Sequence, residues 1–315
     1  MRIVSLLPSA TEIVCALGLE ENLIGITHEC DYPPTVAGKP FLTASRISHE
    51  TMSSAEIDHA VRSQLDGHGS IYDLNTELLA ALKPYLIITQ ELCEVCAVSY
   101  KTVEQAARIY AADAQVVSLE PNTVEDIFAN IKTVGALCDV AEKAEAVVAN
   151  LRARLEKLRA ESSKAATRPK VFLLEWIEPP FAPGHWVPEQ AEAAGGICLL
   201  GAAGEKSVAT TFEKIAETAP ERLVLIPCGY YAADILRQLP NTIFPESWRE
   251  IPALKNGEVW ALDATAYFSR PAPRVVDGAE ILAKITHPEI FGAPTAGEAA
   301  RVPVDLMKFS RTVSS

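Results

Sequence analysis

The sequence predicts an α/β protein made of two doubly wound α/β lobes joined by one long rigid helix. Three observations carry that expectation. Short apolar runs alternate with segments of helical periodicity over the first half of the chain, which is the pattern of a parallel sheet covered by helices. The same alternation resumes after Thr167-Arg168-Pro169. Between the halves, residues 140–166 contain neither Gly nor Pro and are rich in Ala, Leu, Glu, Lys and Arg, so they read as a single helix rather than a tether. The expected organisation is a first lobe over 1–139, a linking helix over 140–167, a second lobe over 168–290 and a tail over 291–315.

In the first lobe the spacing predicts strands over 3–7, 23–26, 86–89 and 115–118, with helices over 10–17, 76–82, 99–111 and 124–137. Asn75 is a good N-cap for the helix that follows it, and Lys83-Pro84 stops that helix. Residues 48–69 are more polar and hold His49, His59 and His68. They read as a helix with flanking loops and solvent-facing histidines. In the linking helix Val147, Leu151, Leu155 and Leu158 recur at helical spacing, giving one apolar stripe able to lie across both lobes. The second lobe reads as strands over 171–174, 197–199, 222–226 and 259–262, with helices over 188–194, 211–218, 232–239 and 274–285. Gly195-Gly196 ends a helix where left-handed backbone is needed. The segment 293–315 is small, polar and aperiodic, which predicts a tail ordered in part or disordered.

At 315 residues, 49% hydrophobic and 22% charged, the chain can bury two cores of ordinary domain size. A net charge of −13 without any basic cluster argues against a surface that tracks phosphates, so no nucleic acid is expected, and an anionic membrane would repel the protein. No apolar run reaches membrane-spanning length, so no membrane insertion is expected. The first strand begins almost at Met1, without a signal-peptide pattern. Seven cysteines, of which only Cys93 and Cys96 are closely spaced, suit a reducing compartment. The expectation is a cytoplasmic protein as written, or a periplasmic or extracellular one if a leader has been removed. Phosphate-cradling, dinucleotide-binding and G-x-S-x-G motifs are missing, so hydrolase and dehydrogenase readings lack their usual parts.

The chemistry concentrates just beyond predicted strands, where ligands bind in open parallel sheets. Glu175-Trp176-Ile177-Glu178-Pro179-Pro180-Phe181 continues to His185-Trp186 and gathers aromatics, carboxylates and an imidazole in a proline-stiffened segment. Its first-lobe counterpart, Thr27-His28-Glu29-Cys30-Asp31-Tyr32-Pro33-Pro34, supplies an imidazole, a thiol, carboxylates and a ring. Cys93 and Cys96 form a C-x-x-C at a helix start, where thiol pKa falls and redox or metal chemistry becomes accessible; two cysteines packed as small apolar groups is the alternative. Late in the chain Tyr267, Phe268 and Arg270 again join a strand end to a helix. Trp248 reads as a packing anchor.

With these residues in place, the chain resembles the cobalamin-binding substrate-binding proteins of ABC importers over residues 2–288. The carriers are Ser5-Leu6-Leu7-Pro8-Ser9-Ala10-Thr11-Glu12, Cys30-Asp31-Tyr32-Pro33-Pro34, Leu79-Ala80-Ala81-Leu82-Lys83-Pro84, Pro179-Pro180-Phe181 with Gly195-Gly196, the segment 251–260, and Ser269-Arg270-Pro271-Ala272-Pro273-Arg274. Relatives that bind iron chelates or haem share much of this framework. The resemblance implies a non-catalytic protein that holds a cobalamin-like corrinoid in the cleft between lobes. Tyr32, Trp176, Phe181, Trp186, Tyr267 and Phe268 would stack on a flat macrocycle, with Asp31, Glu175 and Arg270 as polar contacts. His28, Cys30, Cys93 and His185 would reach a central metal, and Glu77 and Glu213 would dock to an ABC permease. The runner-up is direct capture of a transition metal, haem or iron chelate by His28, Cys30, Cys93, Cys96 and His185, a donor set that favours zinc, copper or iron. A thiol oxidoreductase or corrinoid-processing enzyme using Cys93 and Cys96 is the alternative from another class. The chain departs from the importer proteins in lacking an export signal and in its thiol-rich cleft.

Overall fold

The computed structural model describes residues 1–45, 52–66, 72–90, 100–111 and 113–310. The first lobe runs β1 (Ile3–Ser5), α1 (Pro8–Ala16), β2 (Leu23–Ile26), β3 (Thr43–Ser45), α2 (Ser54–Asp66), β4 (Tyr72–Leu74), α3 (Thr76–Leu82), β5 (Leu86–Thr89), α4 (Tyr100–Tyr110), β6 (Gln115–Ser118) and α5 (Val124–Leu137). Its main sheet has the order β2-β1-β5-β6, all parallel. The strands β3 and β4 form a separate antiparallel pair from which α2 projects. Local chemistry sets the helix ends. Pro8 sits in the first turn of α1 after an extended Leu7, where its missing N–H costs nothing. The Asn75 side chain accepts the Leu78 N–H at 2.9 Å, and Lys83 closes α3 in the left-handed region at φ 46° before Pro84. Thr123 and Asp126 form a reciprocal capping box on α5.

The linking helix α6 (Ala141–Ser162) has 22 residues, a rod of roughly 33 Å at 1.5 Å per residue. Its buried stripe is Ala144, Val148, Leu151, Leu155, Leu158 and Ser162. Val147, which the spacing put on that stripe, is only half-buried, because Val148 is the residue in line with Ala144 and Leu151.

The second lobe runs β7 (Lys170–Leu174), β8 (Phe181–Ala182), α7 (Val187–Ala193), β9 (Ile197–Cys198), β10 (Val208–Ala209), α8 (Phe212–Glu217), β11 (Arg222–Leu225), α9 (Ala232–Gln238), β12 (Ile243–Phe244), α10 (Pro252–Lys255), β13 (Val259–Ala261), α11 (Ala264–Tyr267), α12 (Val275–Thr286), α13 (Pro288–Phe291), β14 (Ala300–Arg301) and β15 (Lys308–Phe309). Its sheet is ordered β14-β13-β11-β7-β9, with only β14 antiparallel. The segment expected to be a tail is therefore part of the lobe as far as Ser310: β14 extends the sheet and β15 pairs with β12. Backbone pairing needs no side-chain periodicity, and Val302 and Met307 are buried in the lobe.

Strand alternation sorts the core into three layers. Ile3 and Ile88 from the first sheet share one continuous cluster with Val171, Leu173, Val224 and Leu262 from the second, filled in by α1, α5, α6, α7 and α12. The opposite faces bury Val4, Leu6 and Ile87 in the first lobe and Phe172, Leu174, Leu223 and Leu225 in the second. Two separate lobe cores were the expectation from length; the inner faces instead form a single one. Trp248 is an anchor as expected, fully buried, stacked on Phe244 at 5.0 Å and bonded to the Phe212 carbonyl.

Candidate functional site

The loop after β2 forms the first-lobe wall. Thr43 organises it: its hydroxyl contacts Thr27 Oγ1 at 2.7 Å and His28 Nδ1 at 2.8 Å. Burial lowers the pKa of His28, which favours the neutral imidazole. Tyr72, 5.8 Å from the His28 ring, donates its hydroxyl to Glu29, whose carboxyl burial pushes upward. Cys30 turns inward rather than toward the cleft. It is buried, 3.0 Å from Thr11 Oγ1, and desolvation raises its pKa to about 11. A thiol in that state is a poor nucleophile and a poor metal ligand. Tyr32 remains 42% exposed, with one face of its ring covered by the Arg274 guanidinium.

The second-lobe wall follows β7. Trp176 is half-buried, donates to the Glu178 carbonyl at 3.1 Å and meets Tyr230 edge-on at 5.7 Å. Phe181 is also half-buried and lies on β8 opposite β10. Glu175 accepts the Gly184 N–H at 3.2 Å and the Ser207 hydroxyl, and burial lifts its carboxyl to about 7. His185 takes left-handed backbone at φ 51° and is half-buried, with its imidazole pushed below the usual range by burial and by Lys206. Trp186 and Phe268, expected to stack on a ligand, belong instead to the core: both are buried, and the Trp186 indole N–H is bonded to the Phe268 carbonyl at 2.9 Å. Tyr267 stays partly exposed.

Between the walls runs a chain of opposite charges. Arg270, expected at the rim, is buried; it reaches Asp31 at 2.5 Å, the Glu29 carbonyl at 2.8 Å and Glu12 at 3.6 Å. Arg274 grips Glu12 with two bonds of 2.9 and 2.5 Å and lies 3.9 Å over the Tyr32 ring. Burial raises the Glu12 carboxyl and Arg274 and Arg270 pull it back down. Two carboxylates from the first lobe thus meet two guanidinium groups from the second. A cavity of about 350 Å³ opens beside this chain, lined by Glu12, Cys15, Glu20, Tyr32, Arg154 and Arg274 among others. It faces α6, and Trp176, Phe181, Tyr230 and Tyr267 are not among its walls.

The expected metal cluster is not assembled by the described residues. Among them no group of three or more His, Cys, Asp or Glu side chains is placed to hold an ion, so His28, Cys30 and His185 do not converge. Cys93 and Cys96 lie outside the described residues, as do His49 and His68. His59 is exposed on α2 as expected. Several site residues went unrecognised by sequence reasoning: Glu12 and Arg274 were noted only as carriers of the resemblance, and Tyr230 and Cys228 were passed over. The strand-end rule that selected Glu175 would have selected Cys228-Gly229-Tyr230, which follow β11 in the same way. No local signal marks Glu12, whose partner is far away in sequence.

Two α/β lobes spanned by one long helix, with aromatic and polar side chains on the strand-end loops of both, define the architecture of a two-lobed ligand-binding protein. Residues 3–266 match the family described as Periplasmic binding protein. The chain belongs to the periplasmic binding protein family. It is 25% identical over 284 residues to a vitamin B12-binding protein of Vibrio cholerae, covering 89% of this chain and 86% of that one. It is 24% identical over 298 residues to an uncharacterized ABC transporter substrate-binding lipoprotein of Bacillus subtilis, covering 92% and 81%. Among solved structures, a periplasmic heme binding protein from Pseudomonas aeruginosa superposes with a TM-score of 0.70 at 21% identity over 96% of this chain and 99% of that one. The periplasmic vitamin B12 binding protein of Vibrio cholerae does so with 0.63 at 22%, over 90% and 96%. These likenesses establish the fold. The cytoplasmic expectation finds no support among relatives that are periplasmic or lipoproteins by name. Among the described residues no helix is long and apolar enough to cross a membrane.

Proposed function

We propose that this protein binds a cobalamin-like corrinoid in the cleft between its lobes, without catalysis, and presents it to an ABC permease. The observation that carries the reading is that rings on the strand-end loops of both lobes stay partly exposed: Tyr32 from one, Trp176, Phe181 and Tyr267 from the other. Rigid rings bury large area on a flat macrocycle at low entropic cost. The relatives matched by sequence and named for vitamin B12 support the corrinoid over other cargoes. A second reading, haem or another iron chelate, is favoured by His28 and His185, whose pKa values burial lowers toward the neutral, metal-donating form. Glu77 in the first turn of α3 and Glu213 in the first turn of α8 are exposed, one on each lobe, and suit docking to permease arginines. Titration with cyanocobalamin and hydroxocobalamin, followed by absorbance and tryptophan quenching, tests the reading, with haemin and zinc in parallel. Saturable corrinoid binding is expected. Silence toward corrinoids with tight haemin uptake moves the assignment to the second reading. Reversal of both carboxylates, Glu77→Lys with Glu213→Lys, is expected to abolish permease docking while leaving ligand affinity unchanged.

A further inference from the structure

The helix α2 lies in sequence between β3 and β4 of the first lobe, yet among the described residues its buried apolar side chains belong to a second-lobe cluster. Ile57 and Val61 lie in the cluster that contains Tyr230, Ile235 and Leu239, with Trp176 packed against it. At the helix start, Ser54 Oγ approaches Gln238 Oε1 at 3.3 Å and the Tyr230 hydroxyl at 3.5 Å, and Gln238 Nε2 donates to the Met52 carbonyl at 3.1 Å. Tyr230 follows β11 in the loop that also touches Trp176, so α2 is seated on the second-lobe wall of the cleft.

We propose that α2 is a strap across the cleft, and that it must lift from Tyr230 and Gln238 before a ligand of macrocycle size can reach Trp176. The helix is built to move as a unit. Its own bonds are internal: Glu56 accepts the Ser53 N–H at 2.8 Å, and Arg62 pairs with Asp58 at 2.8 Å. These survive opening. Among the described contacts, the apolar seat of Ile57, Val61 and Met52 and the bonds at Met52 and Ser54 break, while Ala55, Glu56, His59, Arg62 and Ser63 already face solvent. A segment held by one narrow apolar stripe and a few polar contacts opens at lower free energy than a core helix. Ligand association is then limited by the fraction of open protein, and Ile57, Val61, Ser54 and Gln238 set that fraction.

The inference rests on the cleft being the ligand site, and two measurements separate the claims. Hydrogen exchange on the unliganded protein is expected to show α2 opening locally, faster than α6. The variant Ile57→Ser/Val61→Ser should raise exchange at least tenfold in α2 and in residues 226–238, leaving α6 unchanged. Exchange of α2 as slow as that of α6, or unmoved by the substitutions, overturns the strap. Stopped-flow mixing with cyanocobalamin, and separately with haemin, should show association at least threefold faster in that variant and in Gln238→Ala, which keeps the apolar seat. Raised exchange with unchanged association of a probe that binds also overturns it. If neither probe binds the native protein, the macrocycle reading fails, and exchange alone then decides whether α2 opens.

Discussion

The lobes are joined at the back by α5, α6, α7 and α12 and at the front by α2, and the two junctions differ in how much of each is apolar core. At the back a single cluster runs from Ile3 to Leu262 without interruption. Polar bonds reinforce it: Glu189 accepts the Val124 N–H at 2.7 Å, and Arg154 pairs with Asp277 at 2.5 Å and Glu280 at 2.6 Å. At the front, the described contacts of α2 and of Met52 just before it are the apolar seat of Ile57, Val61 and Met52 and three polar contacts. A packed core resists continuous deformation, whereas a thin contact has a second, open state within reach. Large lobe rotation is therefore not the route by which a ligand enters, and a small front element is the part free to move.

The most severe break in this comparison is Leu155→Ala in α6. Truncating a side chain in the shared core should cost about 2–5 kcal/mol, and circular dichroism and tryptophan fluorescence should report one coincident urea transition. Two separated transitions would mean that the lobes own separate cores. Next is Glu12→Gln, which strands Arg274 in the buried interlobe chain; a loss of about 3 kcal/mol is expected in the same assay, and a negligible loss would show that water solvates the pair. The third test sharpens the picture of the second-lobe wall. Glu175, lifted from 4.5 to about 7 by burial, keeps its proton in the folded state over a range where the unfolded chain has released it. Its contribution to stability is present below the lower value and lost as pH rises through about 7, by about 3 kcal/mol at most. Melting temperatures at about pH 5 and about pH 7.5 should fall less in Glu175→Gln than in the native protein; equal falls would remove Glu175 as the titrating group. The smallest effect belongs to the front: Ile57→Ser/Val61→Ser should lower global stability by about 1.4 kcal/mol, the equivalent of the tenfold rise in opening, because only the seat of α2 is weakened. A loss as large as that from Leu155→Ala would erase the distinction between the junctions.

Much of the fold was legible because each element announced itself locally. The strands of both main sheets up to β13, the helices α3, α5 and α6 and the glycine turn at Gly195 fall within a few residues of their expected positions. The strands β14 and β15 were not legible, since each pairs over two residues with no apolar run in the sequence around it. The candidate site was half legible. Tyr32, Trp176, Phe181 and Tyr267 were found because they follow strands. Trp186 and Phe268 follow strands too, but their rings turn into the core, and nothing in a run of residues specifies the direction of a side chain in an irregular loop.

By itself, then, the sequence determined what depends on neighbours along the chain: periodicity, caps, proline stops and the length of a rod without glycine or proline. Only the tertiary structure decided what depends on residues distant in sequence. It joined Glu12 to Arg274 and Asp31 to Arg270, merged the inner faces of both sheets into one core, turned Cys30 toward Thr11, and placed a first-lobe helix on the second lobe. Ion pairing and apolar burial reward proximity in space whatever the separation along the chain, so no local pattern records which partner is chosen.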